Sequence, residues 1–171
     1  MLHDKGIGMD IKKNCCFTGH RPDKIKGSEA DIRNWLNLEI MAAIKDGYDT
    51  FITGMALGVD MWAAEEVLKI KESQKVKLVC AVPARRVEEN RTEEEKEAFH
   101  KVINMADRVE YLSEKVSRSC FSKRDRWMVD NSSRVIAVFN GTHGGTEYTI
   151  RYADKLGRNI IVLNDAEKMR K

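Results

Sequence analysis

Short apolar runs rich in β-branched and aromatic residues recur along the chain at "CCFTG", "TFITG", "VKLVCAV", "RVEYL", "RVIAVF" and "NIIVL". Longer segments of helical period separate them, so the rhythm is strand, helix, strand, helix. In "SEADIRNWLNLEIMAAIKDG", Ile32, Trp35, Leu36, Ile40, Ala43 and Ile44 fall on one helical face, with Ser28 placed to cap the start and Gly47 to stop the end. Val59, Trp62, Ala63, Val67 and Ile70 form a similar stripe in the segment from Val59 to Lys71. The strands are nearly continuous in hydrophobicity, without the alternation of a one-faced sheet, and this calls for helices on both faces of a parallel sheet. The expected fold is α/β, a Rossmann-like three-layer sandwich with a mainly parallel sheet of about six strands. The charged segment "ARRVEENRTEEEKEAFHKVINMAD" reads as a loop leading into a solvated helix that turns Phe99, Val102, Ile103 and Ala106 inward. A cover over a ligand is its functional alternative.

Length and composition narrow the picture modestly. A chain of 171 residues suits one domain with a sizeable core and is short for two. The expected organisation is a poorly ordered N-terminal extension over residues 1–13, of which 1–8 precede Met9 as a second candidate start, and a single domain over 14–171. Thirty Lys and Arg against 27 Asp and Glu give a net charge of +3, and the two signs are interspersed. Composition therefore gives no basic tract for nucleic acid, although it does not exclude such a partner. No apolar run approaches the roughly 20 residues of a membrane span, and the start "MLHDKGIGMDIKKN" lacks the apolar core of a signal peptide, so the expectation is a cytoplasmic protein without a membrane partner. Cys15 and Cys16 are adjacent while Cys80 and Cys120 are isolated. That spacing fits neither a metal site nor a disulfide framework, and buried thiols in a reducing compartment are expected, with no metal.

The chemistry gathers at three strand ends. "FTGHRPDK" follows the first apolar run, "ITGMALGVD" the second and "FNGTHGGTEYT" the fifth. Carboxyl ends of parallel strands lie along one edge, so these three glycine-bearing loops should converge on one crevice. "GGT" at Gly144, Gly145 and Thr146 opens a helix, where unpaired N–H groups and a partial positive charge suit a phosphate and glycines let it approach. Gly54 and Gly58 bracket the start of another helix facing the same crevice. A single such turn is an ordinary strand-to-helix connection; three along one edge make a site. Neither GxGxxG nor GxxxxGK[ST] occurs, which disfavours ordinary dinucleotide and NTPase chemistry, and no cofactor is expected. Beside Gly19, Arg21 suits two-pronged pairing with a phosphate or carboxylate, and His20 is either a donor and acceptor near neutral pH or a loop-packing residue. Asp60 is either a helix-start acid or an acceptor for a ribose hydroxyl. Arg124, Arg126 and Asp130 precede the fifth strand, Arg126 and Asp130 at the i,i+4 spacing of a surface ion pair.

"CCFTGHRP", "TGMALGVD", "RDRWMVDNSS" with "VIAVFNG", and "GGTEYTIRYA" resemble, in order over about residues 14–163, the YpsA-like branch of the SLOG superfamily. That Rossmann-like group also holds the DNA-processing Smf/DprA proteins and the LOG phosphoribohydrolases. The resemblance implies a nucleotide or nucleotide-derived ligand in the crevice, its phosphate on the glycine-threonine turn, and a homodimer. LOG enzymes carry PGGxGTxxE, whose glutamate, with an arginine from the preceding helix, serves cleavage between base and ribose phosphate. Here Thr149 stands at that glutamate's place, Glu147 lies about 200° round the helix from it, and Arg124 or Arg126 supplies the arginine. After Pro83 the family's Gln and Trp are replaced near Val87 and Arg91.

The leading expectation is a SLOG-type ligand-binding protein whose site is lined by Gly19, His20, Arg21, Gly54, Gly58, Asp60, Arg124, Gly144, Gly145 and Thr146. Its first rival is a nucleoside-monophosphate N-glycosidase, with Arg126, Glu147, Asp130 and Asp60 as candidate catalytic residues. Its second is single-strand nucleic-acid binding, for which Arg85, Arg86, Arg118, Lys123 and Arg124 supply charge but aromatic residues are sparse.

Overall fold

The computed structural model describes residues 9–165. Each apolar run forms a strand: β1 Asn14–Gly19, β2 Thr50–Thr53, β3 Lys77–Val82, β4 Arg108–Tyr111, β5 Arg134–Phe139 and β6 Asn159–Asn164. Between them lie α1 Glu29–Lys45, α2 Val59–Lys71, α3 Glu93–Met105, α4 Arg118–Asp130 and α5 Gly145–Lys155. The strands pair in parallel in the order β4-β3-β2-β1-β5-β6. This is the three-layer α/β arrangement that the continuous apolar strands require, because the inner strands β1, β2, β3 and β5 face helices on both sides.

The two faces are read directly from neighbouring strand residues. Cys15 and Phe17 of β1 join Phe51, Leu78 and Cys80 in a core covered by α1, α2 and α3, with Ile32, Leu36, Val67 and Phe99 packed against them. Cys16 points the other way and joins Ile52, Val79 and Val135 under Met128 and Val129 of α4 and Ala153 of α5. All four cysteines are free and buried. Burial pushes the Cys15 thiol well up and those of Cys16 and Cys80 up to about 12.

Local signals account for the helix boundaries. Ser28 accepts a hydrogen bond from Asp31 N at the start of α1, and Gly47 at φ +99° ends that segment. Thr92 and Glu95 form a reciprocal capping box at the start of α3. Of the expected N-terminal extension, Ile11–Lys13 form a short 3-10 turn with Asp10 accepting from Lys12 N; residues 1–8 lie outside the described residues. Among those described, no helix is long and apolar enough to cross a membrane.

The topology places the site. From β1 the chain moves to β2 on one side, whereas β4 crosses back through α4 to β5 on the other. The loops after β1 and β5 therefore diverge from neighbouring strands, and a crevice opens at their carboxyl ends. The start of α2 closes directly on the end of β1: a Cβ added to Gly19 would stand 2.5 Å from Val59 Cβ. Gly19→Ala is accordingly expected to destabilise the fold by roughly 1–3 kcal/mol in urea unfolding. A change below about 0.5 kcal/mol would show that α2 does not seat on β1 in this way.

Candidate functional site

Side chains, as well as topology, hold the three glycine loops together. His20 is buried, its Nε2 accepts a hydrogen bond from Asn140 N at 3.0 Å, and its ring stacks on Phe139 with centroids 5.8 Å apart. Asn140 in turn donates to Lys24 O. Burial, with Lys24 adding to it, holds the His20 pKa below its ordinary value, which keeps Nε2 free of a proton and able to accept. His20 thus ties the first loop to the fifth.

The second loop is strained and braced. Met55 is buried at φ +62°, a left-handed conformation that a side chain enters at a cost of about 1–2 kcal/mol. Its carbonyl accepts from Arg91 Nη2 at 2.7 Å, and Thr53 Oγ1 donates to Asp60 O at 2.8 Å across the loop. Gly58, at φ +88°, leaves no room for a Cβ, which would stand 2.6 Å from His20 O. The first two loops are therefore in backbone contact.

A buried charged cluster forms the floor. Arg124 donates through Nη1 to Gly54 O at 3.0 Å and through Nε to Asp125 Oδ1 at 2.9 Å. A Cβ on Gly54 would stand 2.7 Å from Asp60 Oδ2 and 3.0 Å from Arg124 Cδ, while one on Gly145 would lie 3.9 Å from Asp125 Oδ2. Asp60, Arg124 and Asp125 are each less than a tenth exposed. Burial raises the Asp60 pKa to about 6; Arg124 opposes the rise and Asp125 adds to it.

Above this floor, α5 begins at Gly144, which has no side-chain cap and open space where a Cβ would project. Gly58 begins α2 in the same uncapped way. Thr146 is buried beside the turn, and its hydroxyl has no hydrogen-bond partner among the described residues. Thr149 is also buried, and its hydroxyl donates back to Gly145 O at 2.9 Å. Glu147 is engaged elsewhere, with His143 Nδ1 and Arg151 Nη2 both at 2.6 Å.

The crevice thus gathers Gly19, His20, Arg21, Gly54, Gly58, Asp60, Arg124, Gly144, Gly145 and Thr146 along one edge. Arg21 is exposed at its mouth. Arg126 points outward, and Asp130 lies at the far end of α4, where it accepts from Tyr152 Oη at 2.6 Å; the two form no ion pair. Asp125, Arg91 and Asn140 are additions that the motifs did not single out. Asp125 was visible in principle, since Cys120, Arg124, Asp125, Met128 and Val129 make one inward helical stripe with opposite charges set inside it. A separate cleft, lined by Asp10, Asn14, Asp49, Lys77 and Asp107, sits at the amino edge, away from these loops. Among the described residues no group of His, Cys, Asp or Glu is arranged to hold a metal.

A parallel sheet with glycine-opened helices at its switch point defines a Rossmann-like α/β protein. The YpsA family model, described as the YspA SLOG family, matches residues 15–161, and the chain belongs to that family. UPF0398 proteins of Bacillus cereus (strain B4264) and Bacillus thuringiensis (strain Al Hakam) are 26% and 27% identical over 155 residues, covering 85% of this chain and 84% of each relative. DNA processing protein A from Helicobacter pylori, whose structure concerns single-stranded DNA binding, superimposes with a TM-score of 0.65 at 18% identity, over 94% of this chain and 73% of that one. The Streptococcus pneumoniae DprA gives 0.62 at 15%, over 88% of this chain, which spans 50% of that protein. The Moco carrier protein of Chlamydomonas rheinhardtii gives 0.53 at 16%, over 92% and 81%. These structures share the fold.

Asp60 makes the floor pH-sensitive. Its folded pKa of about 6 lies above the ordinary 3.8, so the folded state holds its proton where the unfolded state has lost it. Stability relative to Asp60→Asn should be greatest below pH 4 and fall by up to about 3 kcal/mol as pH rises to about 6.5. Urea unfolding of both proteins across that range checks this; parallel pH profiles would place Asp60 in contact with solvent.

Proposed function

We propose that the chain binds a nucleotide or nucleotide-derived ligand at the carboxyl edge of the sheet, with a phosphate on the turn from Gly144 to Thr146. The observation that carries this reading is a contrast in helix starts. α1 and α3 cap their first turns with the Ser28 and Thr92 side chains; α2, α4 and α5 have no side-chain cap, and of these three only α2 and α5 begin at glycines, beside the converging loops. Unpaired N–H groups at a helix start attract an anion, and the open space at Gly144 admits one. The unused Thr146 hydroxyl adds a donor. Hydrolysis of the ligand is not part of the proposal: Thr149 carries no ionisable group, and Glu147 is held by His143 and Arg151.

Gly145→Asp tests the reading. An aspartate suits the first turn of a helix, so the fold should survive, but its carboxylate would occupy the anion position. The variant should lose at least tenfold in affinity for AMP by isothermal titration, roughly the loss of a charge-assisted contact, with a melting temperature near that of the wild type. Equal AMP affinity in the two proteins would remove phosphate from this turn.

A second reading, single-strand nucleic-acid binding, draws support from Tyr148 and Tyr152. Their rings stack on the outside of α5 with centroids 6.4 Å apart and planes 3° apart, one turn beyond the glycines and near Arg126. Under this reading Tyr148→Ala would weaken binding of an oligothymidylate by about 1–3 kcal/mol in fluorescence anisotropy. Absence of salt-sensitive binding by the wild type would dismiss it.

A further inference from the structure

Arg91 stands out as a cation whose neighbouring acids, Glu95, Glu88 and Asp60, do not close on it as ion pairs. It forms no ion pair among the described residues, and its Nη1 is buried without a hydrogen-bond partner. The acids around it are committed elsewhere: Glu95 Oε2 accepts from Thr92 N, Glu88 lies 3.6 Å from His100 Nε2, and Asp60 Oδ2 accepts from Ala56 N. Leaving a guanidinium nitrogen buried and unpaired is costly, and such a group commonly has a partner that arrives from outside.

A second arginine, Arg21, is near enough for its charge to act on Arg91. Arg21 and Arg91 brace the same loop from two sides. Arg91 holds Met55 O, and the Arg21 backbone presses on Gly58, where an added Cβ would be 3.2 Å from Arg21 Cα. Burial lowers the Arg91 pKa; Glu95 and Glu88 oppose the fall, and the like charge of Arg21 adds to it. The exposed Arg21 side chain has no hydrogen bond or ion pair among the described residues and is available to an anion. Phe99 lies under the Arg91 guanidinium, 5.2 Å from its carbon, and fixes the plane of its fork.

We infer that Arg21 and Arg91 form a second anion subsite beside the start of α2, so that the ligand carries a second phosphoryl group besides the one on the α5 turn. This rests on the proposed phosphate position at α5 and adds a distinct subsite to it. An anion between the two arginines would satisfy the buried Nη1, relieve the opposition of like charges and gain a planar, two-pronged contact.

The test is isothermal titration of the full chain with AMP, ADP, adenosine 3′,5′-bisphosphate, inorganic phosphate and pyrophosphate. Wild type should bind ADP or the bisphosphate at least about tenfold more tightly than AMP, and which of the two gains tells where the second phosphoryl group sits. Arg91→Ala should shrink that ratio to within about threefold while leaving AMP affinity near the wild-type value, and Arg21→Ala should shrink the ratio to the same extent. Arg91→Lys, which keeps reach to Met55 O and the charge but loses the fork, should fall between and carries the test if Arg91→Ala does not fold. Gly145→Asp should weaken all three nucleotides together. Equal binding of mono- and bis-phosphorylated nucleotides by the wild type, or an unchanged ratio in the folded arginine variants, overturns the inference. Binding of pyrophosphate that depends on Arg91, with no nucleotide bound, would sustain the second subsite and defeat the nucleotide reading. No binding of any of the five anions would defeat both.

Discussion

The buried Arg124–Asp125 pair is the constraint on which the site depends. Taking two charges out of water costs several kcal/mol each, and their attraction repays this only when the remaining polar atoms also find partners. Arg124 meets the condition by donating to Gly54 O as well as to Asp125. The pair therefore fixes α4 against the loop after β2, while the other oxygen of Asp125 faces the start of α5. Any side chain on Gly54 would break into the cluster, so the glycine and the ion pair require each other. Replacing a buried ion pair with apolar groups of similar volume often preserves stability; here it would remove what aligns three loops.

On the proposed reading, that alignment is what turns the carboxyl edge of the sheet into a binding surface. Packing sets the sheet and the helix positions, but where each helix starts determines which N–H groups stay available. Capped starts lie outside the crevice and glycine starts lie on it. Strain is concentrated there too: Met55 adopts a left-handed conformation in the loop that Arg91, Thr53 and Asp60 hold. Residues kept in such conformations against their preference need over-determined surroundings, and these hydrogen bonds provide them.

Much of the architecture was legible because strand and helix periods are strong signals. The apolar stripes of α1 and α2 carry their own boundaries, Ser28 and Gly47 for the first and Val59 to Lys71 for the second. The convergence of three loops also followed, since parallel strands put their carboxyl ends on one edge. What local pattern conceals is pairing across the sheet. Nothing in "KRDRW" distinguishes a buried Arg124 and Asp125 from an exposed Arg126 until the inward stripe with Cys120, Met128 and Val129 is counted. His20 reads equally as a ligand group or a packing residue, because its partner, Asn140 N, lies 120 positions away in sequence. Arg91 sits in a segment whose charges look like an ordinary solvated face, and only the tertiary contact with Met55 separates it from its neighbours.

The buried thiols have a practical consequence. A thiol with a pKa near 12 is ionised in roughly one molecule in 10⁵ at neutral pH, and the thiolate is the form that alkylates. Burial shields Cys15 and Cys120 from reagent as well. The native chain is thus a quiet background for site-specific labelling. A single cysteine introduced at exposed Thr142, in the loop leading to α5, would carry a fluorophore without any native cysteine being removed, and its emission would report occupancy of the neighbouring turn.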